Sequence, residues 1–208
     1  MNEFDEKART WDDDPRMRER ARTAAQRIRE QVPLSRTWNV LEYGCGTGLL
    51  SFELRHDVGH MTLADSSAGM IEVVQRKVAA QGITGMHPLV VDDSGAGAPG
   101  APFDMVYTQL ALHHIADVDP TLDGLAAATK PEGYLCIIDL DAEGGSFHGE
   151  GFTGHHGFSR DALSQWLQER GLSVLSSDTC FTISRETRQG MREFTAFLIV
   201  ATHTQPTR

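Results

Sequence analysis

The chain has 208 residues, 40% hydrophobic and 23% charged, which suits one α/β domain with a full core and excludes a disordered chain. A formal charge of -10 disfavours DNA or RNA as a partner, because neutralising phosphates takes a Lys/Arg footprint. Cys45, Cys136 and Cys180 are odd in number and widely separated, so they offer neither a disulfide framework nor a metal knuckle and fit a reducing cytoplasm.

The first six residues have neither a basic region nor an apolar one, so no secretory signal is expected. No apolar run reaches about 18 residues, so no membrane span is expected either. Asp14-Pro15 reads as a helix start, with Asp as cap and Pro at the first helical position. Met17, Ala21, Ala24 and Ile28 then line one face until Pro33, and the basic residues between Arg16 and Arg29 read as an exposed face.

A strand over 38–43 runs into glycines and is followed by a helix over 49–55. Residues 61–64 form a second strand ending at Asp65, and 68–80 a helix closed near Gly82. A third strand, 89–91, meets Asp92-Asp93, and a Gly/Ala/Pro-rich loop covers 94–102. Strand 103–107, helix 119–129 and strand 134–138 continue the alternation. After a loop over 141–157 comes a helix capped by Ser159 and closed by Gly171. Two β-rich runs, 174–184 and 194–203, suit an antiparallel pair at one sheet edge. The expected fold is α/β, a doubly wound, mainly parallel seven-stranded sheet with helices on both faces and that antiparallel C-terminal pair. One domain is expected over 1–208: an N-terminal helical lid over 1–33, a ligand-binding core over 34–140, and a loop, helix and strand pair over 141–208.

The turn Glu42-Tyr43-Gly44-Cys45-Gly46-Thr47-Gly48 follows the first strand. Glycines there let the backbone approach a ligand, and the next helix points free amides at it. Many cofactors use such a turn, so spacing decides. A dinucleotide fingerprint needs its third glycine where Leu49 stands, and no Gly-Lys-Ser/Thr follows to make a phosphate loop. Asp65 ends the second strand, where a carboxylate can accept from both hydroxyls of a ribose; it can also cap the next helix. Asp92 follows the third strand, and the three strand ends converge on the crevice where open α/β sheets bind ligands.

Glu42-x-Gly44-x-Gly46-x-Gly48, Asp65-Ser66-Ser67-x-x-Met70, Asp92-Asp93, Leu110-Ala111-Leu112-His113-His114 and Lys130-Pro131-Glu132-Gly133-Tyr134-Leu135 occur in one order. In that order the chain resembles the class I S-adenosylmethionine-dependent methyltransferases, closest to the ubiquinone/menaquinone-biosynthesis type and its small-molecule relatives. The resemblance covers about residues 35–140, and Phe4-Asp5-x-x-Ala8-x-x-Trp11-Asp12 also looks familial. It implies a Rossmann-like sheet, S-adenosylmethionine as cofactor, S-adenosylhomocysteine as product and a small-molecule acceptor. Gly44, Cys45, Gly46 and Gly48 would pass under the methionine part, oriented by Glu42. Asp65, with Ser66 beside it, would hold the ribose, Met70 and Asp92 would meet the adenine, and the Asp93 amide a ring nitrogen. Gln109 and Leu110 would border the sulfonium, and Trp11 would lie over the site. The family commonly shows Pro-Gly-Gly where this chain has Pro131-Glu132-Gly133, which puts that local turn in question.

Methyl transfer needs alignment of nucleophile and methyl, and a base only if the acceptor must lose a proton. His113 and His114, after the fourth strand, are the candidates, against a structural reading of one as a turn cap and the other as core. His148, His155 and His156 with Asp139, Asp141 and Glu150 could gather round a metal, but zinc ligands come in tighter spacings, so no metal is expected. The 141–157 loop reads instead as a substrate-side wall, with Phe147 and Phe152 giving apolar surface. A nicotinamide reductase lacks support because no Tyr-x-x-x-Lys pair is present. An amino-directed nucleic-acid methyltransferase would need a Pro-Pro-aromatic segment where Thr108-Gln109-Leu110-Ala111 stands. The remaining alternative is a regulator that binds S-adenosylmethionine without transferring its methyl. The acceptor, the atom methylated and the oligomeric state have no reading in the sequence.

Overall fold

The computed structural model describes residues 3–92 and 102–203. Among them, six α-helices and seven strands follow the expected alternation: α1 (Glu3–Lys7), α2 (Pro15–Gln31), β1 (Asn39–Tyr43), α3 (Leu49–Leu54), β2 (His60–Asp65) and α4 (Ala68–Ala80) come first. β3 (Met86–Val90), β4 (Phe103–Gln109), α5 (Val118–Ala128), β5 (Thr129–Leu140), α6 (Arg160–Glu169), β6 (Leu172–Thr187) and β7 (Gly190–His203) complete the chain. Helix starts obey local chemistry. Asp14 accepts from the Arg16 amide ahead of α2, Ser67 from Met70 ahead of α4, and Ser159 from Ala162 ahead of α6.

One sheet runs in the order β3-β2-β1-β4-β5-β7-β6. The first five strands are parallel, and β7 lies antiparallel between β5 and β6. The winding reverses between β1 and β4, which opens a crevice at the carboxyl ends of those strands. Each face carries its own core. Ala24 and Ile28 of α2, Leu54 of α3 and Val74 of α4 pack on Val40, Met105, Cys136, Ile138 and Leu198. Leu122 and Leu125 of α5 and Leu163 and Leu167 of α6 pack on Leu41, Val106, Leu135, Ile137 and Ile199. Alternation along β5 therefore feeds both faces, as a doubly wound sheet demands.

Three boundaries differ from expectation. β3 starts three residues early, at Met86, because its His87-Pro88 pair hides the apolar signal; Pro88 is tolerated since β3 is an edge strand. The C-terminal strands run on through Arg185–Thr187 and Gly190–Glu193 to a two-residue turn, although this tip is exposed on both faces and so lacks alternation. β5 begins at Thr129, with the Lys130–Gly133 stretch bulging where the register to β4 shifts. Exposed Glu132 there adopts φ +63°, the left-handed conformation that the usual glycine would supply. The turn is thus kept despite the substitution. Lys130 Nζ bonds Asp104 Oδ1 at 2.8 Å alongside it.

Candidate cofactor and acceptor site

The β1–α3 turn is held by the neighbouring strand end. The Gly44 and Cys45 amides donate to the Ala64 carbonyl at 2.8 and 3.0 Å, and the Gly46 amide donates to Asp65 Oδ2 at 2.7 Å. Asp65 Oδ1 accepts from the Ser67 amide at 2.8 Å, so one carboxylate ties the turn to the start of α4. Gly44 has φ +68°, and a Cβ there would lie 2.4 Å from the Ala111 Cβ; the turn can meet the segment after β4 only with glycine.

Beneath the turn, buried Glu42 accepts from the Ser51 amide at 3.2 Å and from the Ser51 hydroxyl. That hydroxyl also lies 2.7 Å from the Tyr107 hydroxyl. Burial pushes the Glu42 carboxyl up to about 8, against the lowering effect of its Ser51 bonds. The Cys45 thiol is buried, and burial, with Asp65 and Glu42 nearby, raises it well above its ordinary value, which keeps it protonated and a poor nucleophile.

A cavity of about 970 Å³ opens over this floor. Its lining includes Trp11, Glu42, Gly44, Cys45, Gly46, Asp65, Ser66, Met70, Gln109, Leu110 and His114 from the sequence-derived set. Gly48, Asp92 and His113 are outside the lining: Gly48 is the cap of α3 with φ +80°, and Asp92 follows the edge strand. Asp93 and most of the following loop lie outside the described residues. Leu110 adopts φ +52° and donates its amide to the Ile138 carbonyl at 2.8 Å, which stations a strained non-glycine residue on the cavity wall.

The segment before α2 covers the cavity. Asp12 accepts from Thr47 Oγ1 at 2.5 Å and pairs with Lys77, whose Nζ also donates to the Thr47 carbonyl at 2.8 Å. Asp5 Oδ1 accepts from Ser67 Oγ at 2.6 Å and the Gly69 amide at 3.0 Å. Phe4 sets its ring edge-on to Trp11 and to His114, at 6.2 and 5.0 Å.

One lining residue escaped the sequence reading. Arg20 reads from sequence, with its neighbours, as part of an exposed helix face, yet it is half-buried and lines the cavity, with Nη1 donating to Met17 Sδ at 3.7 Å. Burial lowers its pKa, helped by nearby Arg16 and Arg185. Its position three residues after Met17 and four before Ala24, on the apolar stripe, was the available signal.

The two adjacent histidines differ. His113 is buried, its Nδ1 2.5 Å from Asp139 Oδ1 and its amide 3.3 Å from Asp139 Oδ2. His114 faces the cavity; burial, with His113 and His148 beside it, pulls it down to about 3, so the ring is neutral at pH 7. His148 reaches the pair from the 141–157 loop. Its ring centroid lies 5.1 and 5.2 Å from those of His113 and His114, and it stacks on Phe152 at 3.9 Å. Of the residues that the sequence offered as a possible metal grouping, Asp141 pairs with Arg160, Glu150 with Arg188, and His156 lies 3.7 Å from Glu143. Of the two loop phenylalanines, Phe152 lines the cavity, whereas Phe147 is buried against Phe194 and gives it no surface.

Comparison with known proteins fits this architecture. The family described as methyltransferase domain matches residues 16–177. An uncharacterised methyltransferase of Mycobacterium tuberculosis is 36% identical over 107 residues, 51% of this chain and 52% of the relative. A ubiquinone biosynthesis O-methyltransferase of Xylella fastidiosa is 30% identical over 162 residues, 71% of this chain and 65% of the relative. The match thus spans between half and two thirds of those relatives' lengths. Among solved structures, a chain from the complex of the Haloferax volcanii Trm112 methyltransferase activator with a methyltransferase superposes with TM-score 0.77 at 20% identity, covering 99% of both chains. An S-adenosylmethionine-dependent methyltransferase from Clostridium acetobutylicum gives 0.70 at 13% identity, covering 98% of this chain and 100% of that one. These two likenesses speak for the fold. With the family match covering most of its length, the chain belongs to the methyltransferase domain family, on the Rossmann-like fold of the class I S-adenosylmethionine-dependent enzymes.

Proposed function

We propose that the chain binds S-adenosylmethionine in the cavity and transfers its methyl group to a small-molecule acceptor. The observation that carries this reading is the glycine turn pinned by Asp65 at the floor of a 970 Å³ crevice, held so close to the segment after β4 that a side chain at Gly44 would collide with Ala111. The residues present suit the group. Asp65 and Ser66 offer acceptors for a ribose, Met70 an apolar edge for a purine, and the half-buried guanidinium of Arg20 a partner for an amino-acid carboxylate. Glu42, protonated when the cavity holds no cation, is suited to take up an ammonium by ionising. The cofactor supplies an activated methyl on a sulfonium. The chain's part is to exclude water with the Phe4–Trp11 cover and to align the acceptor, and alignment accounts for much of such a rate. Gln109, Leu110 and His114 form the acceptor-side wall, with His113 held behind His114 by Asp139. The name of the Xylella relative supports a small acceptor, and the net charge of -10 argues against nucleic acid.

Calorimetric titration with S-adenosylmethionine and S-adenosylhomocysteine, followed by transfer of labelled methyl to a metabolite extract, tests the reading. One-to-one binding with a labelled small molecule is expected. Binding without any labelled product would overturn transfer in favour of a sensor, and no binding would overturn the whole reading.

A further inference from the structure

We propose that His113, His114 and His148 form a binding site for a divalent first-row metal ion of the zinc class, oriented by Asp139. The three residues each offer a ring nitrogen, and these nitrogens lie within 4.8 Å of one another. They come from two separate segments, the short helical turn Leu112–His114 and the loop before α6, so only folding assembles them. Two imidazoles side by side on one turn, one buried and one half-buried, faced by a half-buried third, gather polar nitrogens that must be satisfied.

The outer partner is also in place. Asp139, at the end of β5 and with no solvent exposure, takes His113 Nδ1 and receives the Leu140 amide at 2.7 Å. A carboxylate on one imidazole nitrogen fixes the tautomer and leaves Nε2 to ligate, which is how metal-bound histidines are commonly oriented. The His114 ring nitrogens receive no hydrogen bond from the described residues, and the His148 ring is braced by its stack on Phe152. Imidazole-only ligation selects zinc, cobalt, nickel or iron over magnesium or calcium, which prefer oxygen. With metal–nitrogen bonds of about 2.0–2.1 Å in a tetrahedron, the nitrogens must come to about 3.4 Å, a closure of at most roughly 1.4 Å. His148 stands on a separate segment from the other two, so its movement could supply that closure. This departs from the metal-free site expected from spacing, because the third ligand comes from a different loop.

Three protein nitrogens leave one position open, and His114 and Phe152 border the cavity, so that position faces the acceptor side. The consequence for chemistry rests on the function proposed above. An acceptor hydroxyl or thiol bound there gives its proton to solvent and stays on the ion as alkoxide, phenolate or thiolate, with no protein base needed.

The test is titration of chelator-treated protein with Co²⁺, read by its visible ligand-field bands, and competition with Zn²⁺. One equivalent is expected, with tetrahedral-type absorption that Zn²⁺ abolishes. His148→Ala, at a half-buried loop position, should weaken binding at least 100-fold, Asp139→Asn about 10- to 100-fold, and His156→Ala not at all. Since Asp139→Asn can fail to fold, His114→Ala serves as the second ligand variant. Absence of stoichiometric binding, or wild-type binding in both His148→Ala and His114→Ala, overturns the site. S-adenosylmethionine affinity measured on the same samples keeps the two readings apart. Cofactor binding without cobalt bands overturns the metal site alone; cobalt bands without cofactor binding support the metal site and overturn the methyl-transfer reading.

Discussion

The Gly46 amide donates to Asp65 Oδ2 at 2.7 Å, so the turn after β1 takes its shape from a side chain at the end of β2. The same carboxylate braces Ser67 and borders the cavity. Asp65→Ala should therefore weaken S-adenosylmethionine binding by at least tenfold, since a hydrogen bond to a charged group contributes about 1.5–3 kcal/mol. Asp65→Asn, which keeps one acceptor oxygen, should fall between. Calorimetric titration checks both, and wild-type affinity in Asp65→Ala would remove the ribose role.

Glu42 links stability to pH. Its carboxyl is raised from an ordinary 4.5 to about 8 by burial, so the unfolded chain releases this proton at lower pH than the folded one does. The contribution of the neutral carboxyl is complete below pH 4.5 and is lost as pH rises through 8. The slope from this group is about 1.4 kcal/mol per pH unit inside that window. Glu42→Gln, neutral throughout, should flatten the profile when denaturation midpoints are compared at pH 5, 6, 7 and 8. A slope unchanged by the substitution would assign the pH dependence elsewhere.

Gly44→Ala combines a left-handed φ of +68° with a Cβ 2.4 Å from that of Ala111. The expected cost is about 2–4 kcal/mol from strain and overpacking together. The double variant Gly44→Ala/Ala111→Gly removes the contact and keeps the backbone strain, so it should recover part of the loss and not all of it. Chemical denaturation of the three proteins measures the split.

Lys77 joins the cover to the turn through Asp12 and the Thr47 carbonyl. Lys77→Met keeps an apolar stem of similar length and removes both ties, along with the ammonium 5.2 Å from the Phe52 ring centroid. Cofactor dissociation, followed by stopped-flow displacement, should accelerate about 3- to 10-fold, the equivalent of roughly 1 kcal/mol for a partly exposed ion pair. An unchanged rate would mean that the cover does not control exit.

Sequence carried the elements whose ends are set by neighbours along the chain. α4 was legible to the residue because Ser67 caps it and Gly82 follows it, and the Asp14-Pro15 start of α2 is equally local. The turn and Asp65 were legible because strand alternation brings consecutive strand ends to one crevice. What sequence did not carry depends on side chains meeting across the fold. Arg20 looked like one more surface cation until the cavity beside α2 was formed. His148 pairs with His113 and His114 only when the loop before α6 folds back over the turn after β4, where the His155 amide reaches the His113 carbonyl at 2.7 Å. Phe147 and Phe152 share a composition and a loop, and only the path of the chain sends one to the core and the other to the cavity.

Asp5 and Asp12 fasten the leading segment by different means. Asp12 meets the Lys77 cation as well as the Thr47 hydroxyl, so crowding counterions slacken part of its hold; Asp5 meets the Ser67 hydroxyl and the Gly69 amide. Raising ionic strength would loosen the Lys77 tie, letting the strap swing at its Asp12 end. Anything fused ahead of Glu3 would ride on that swing.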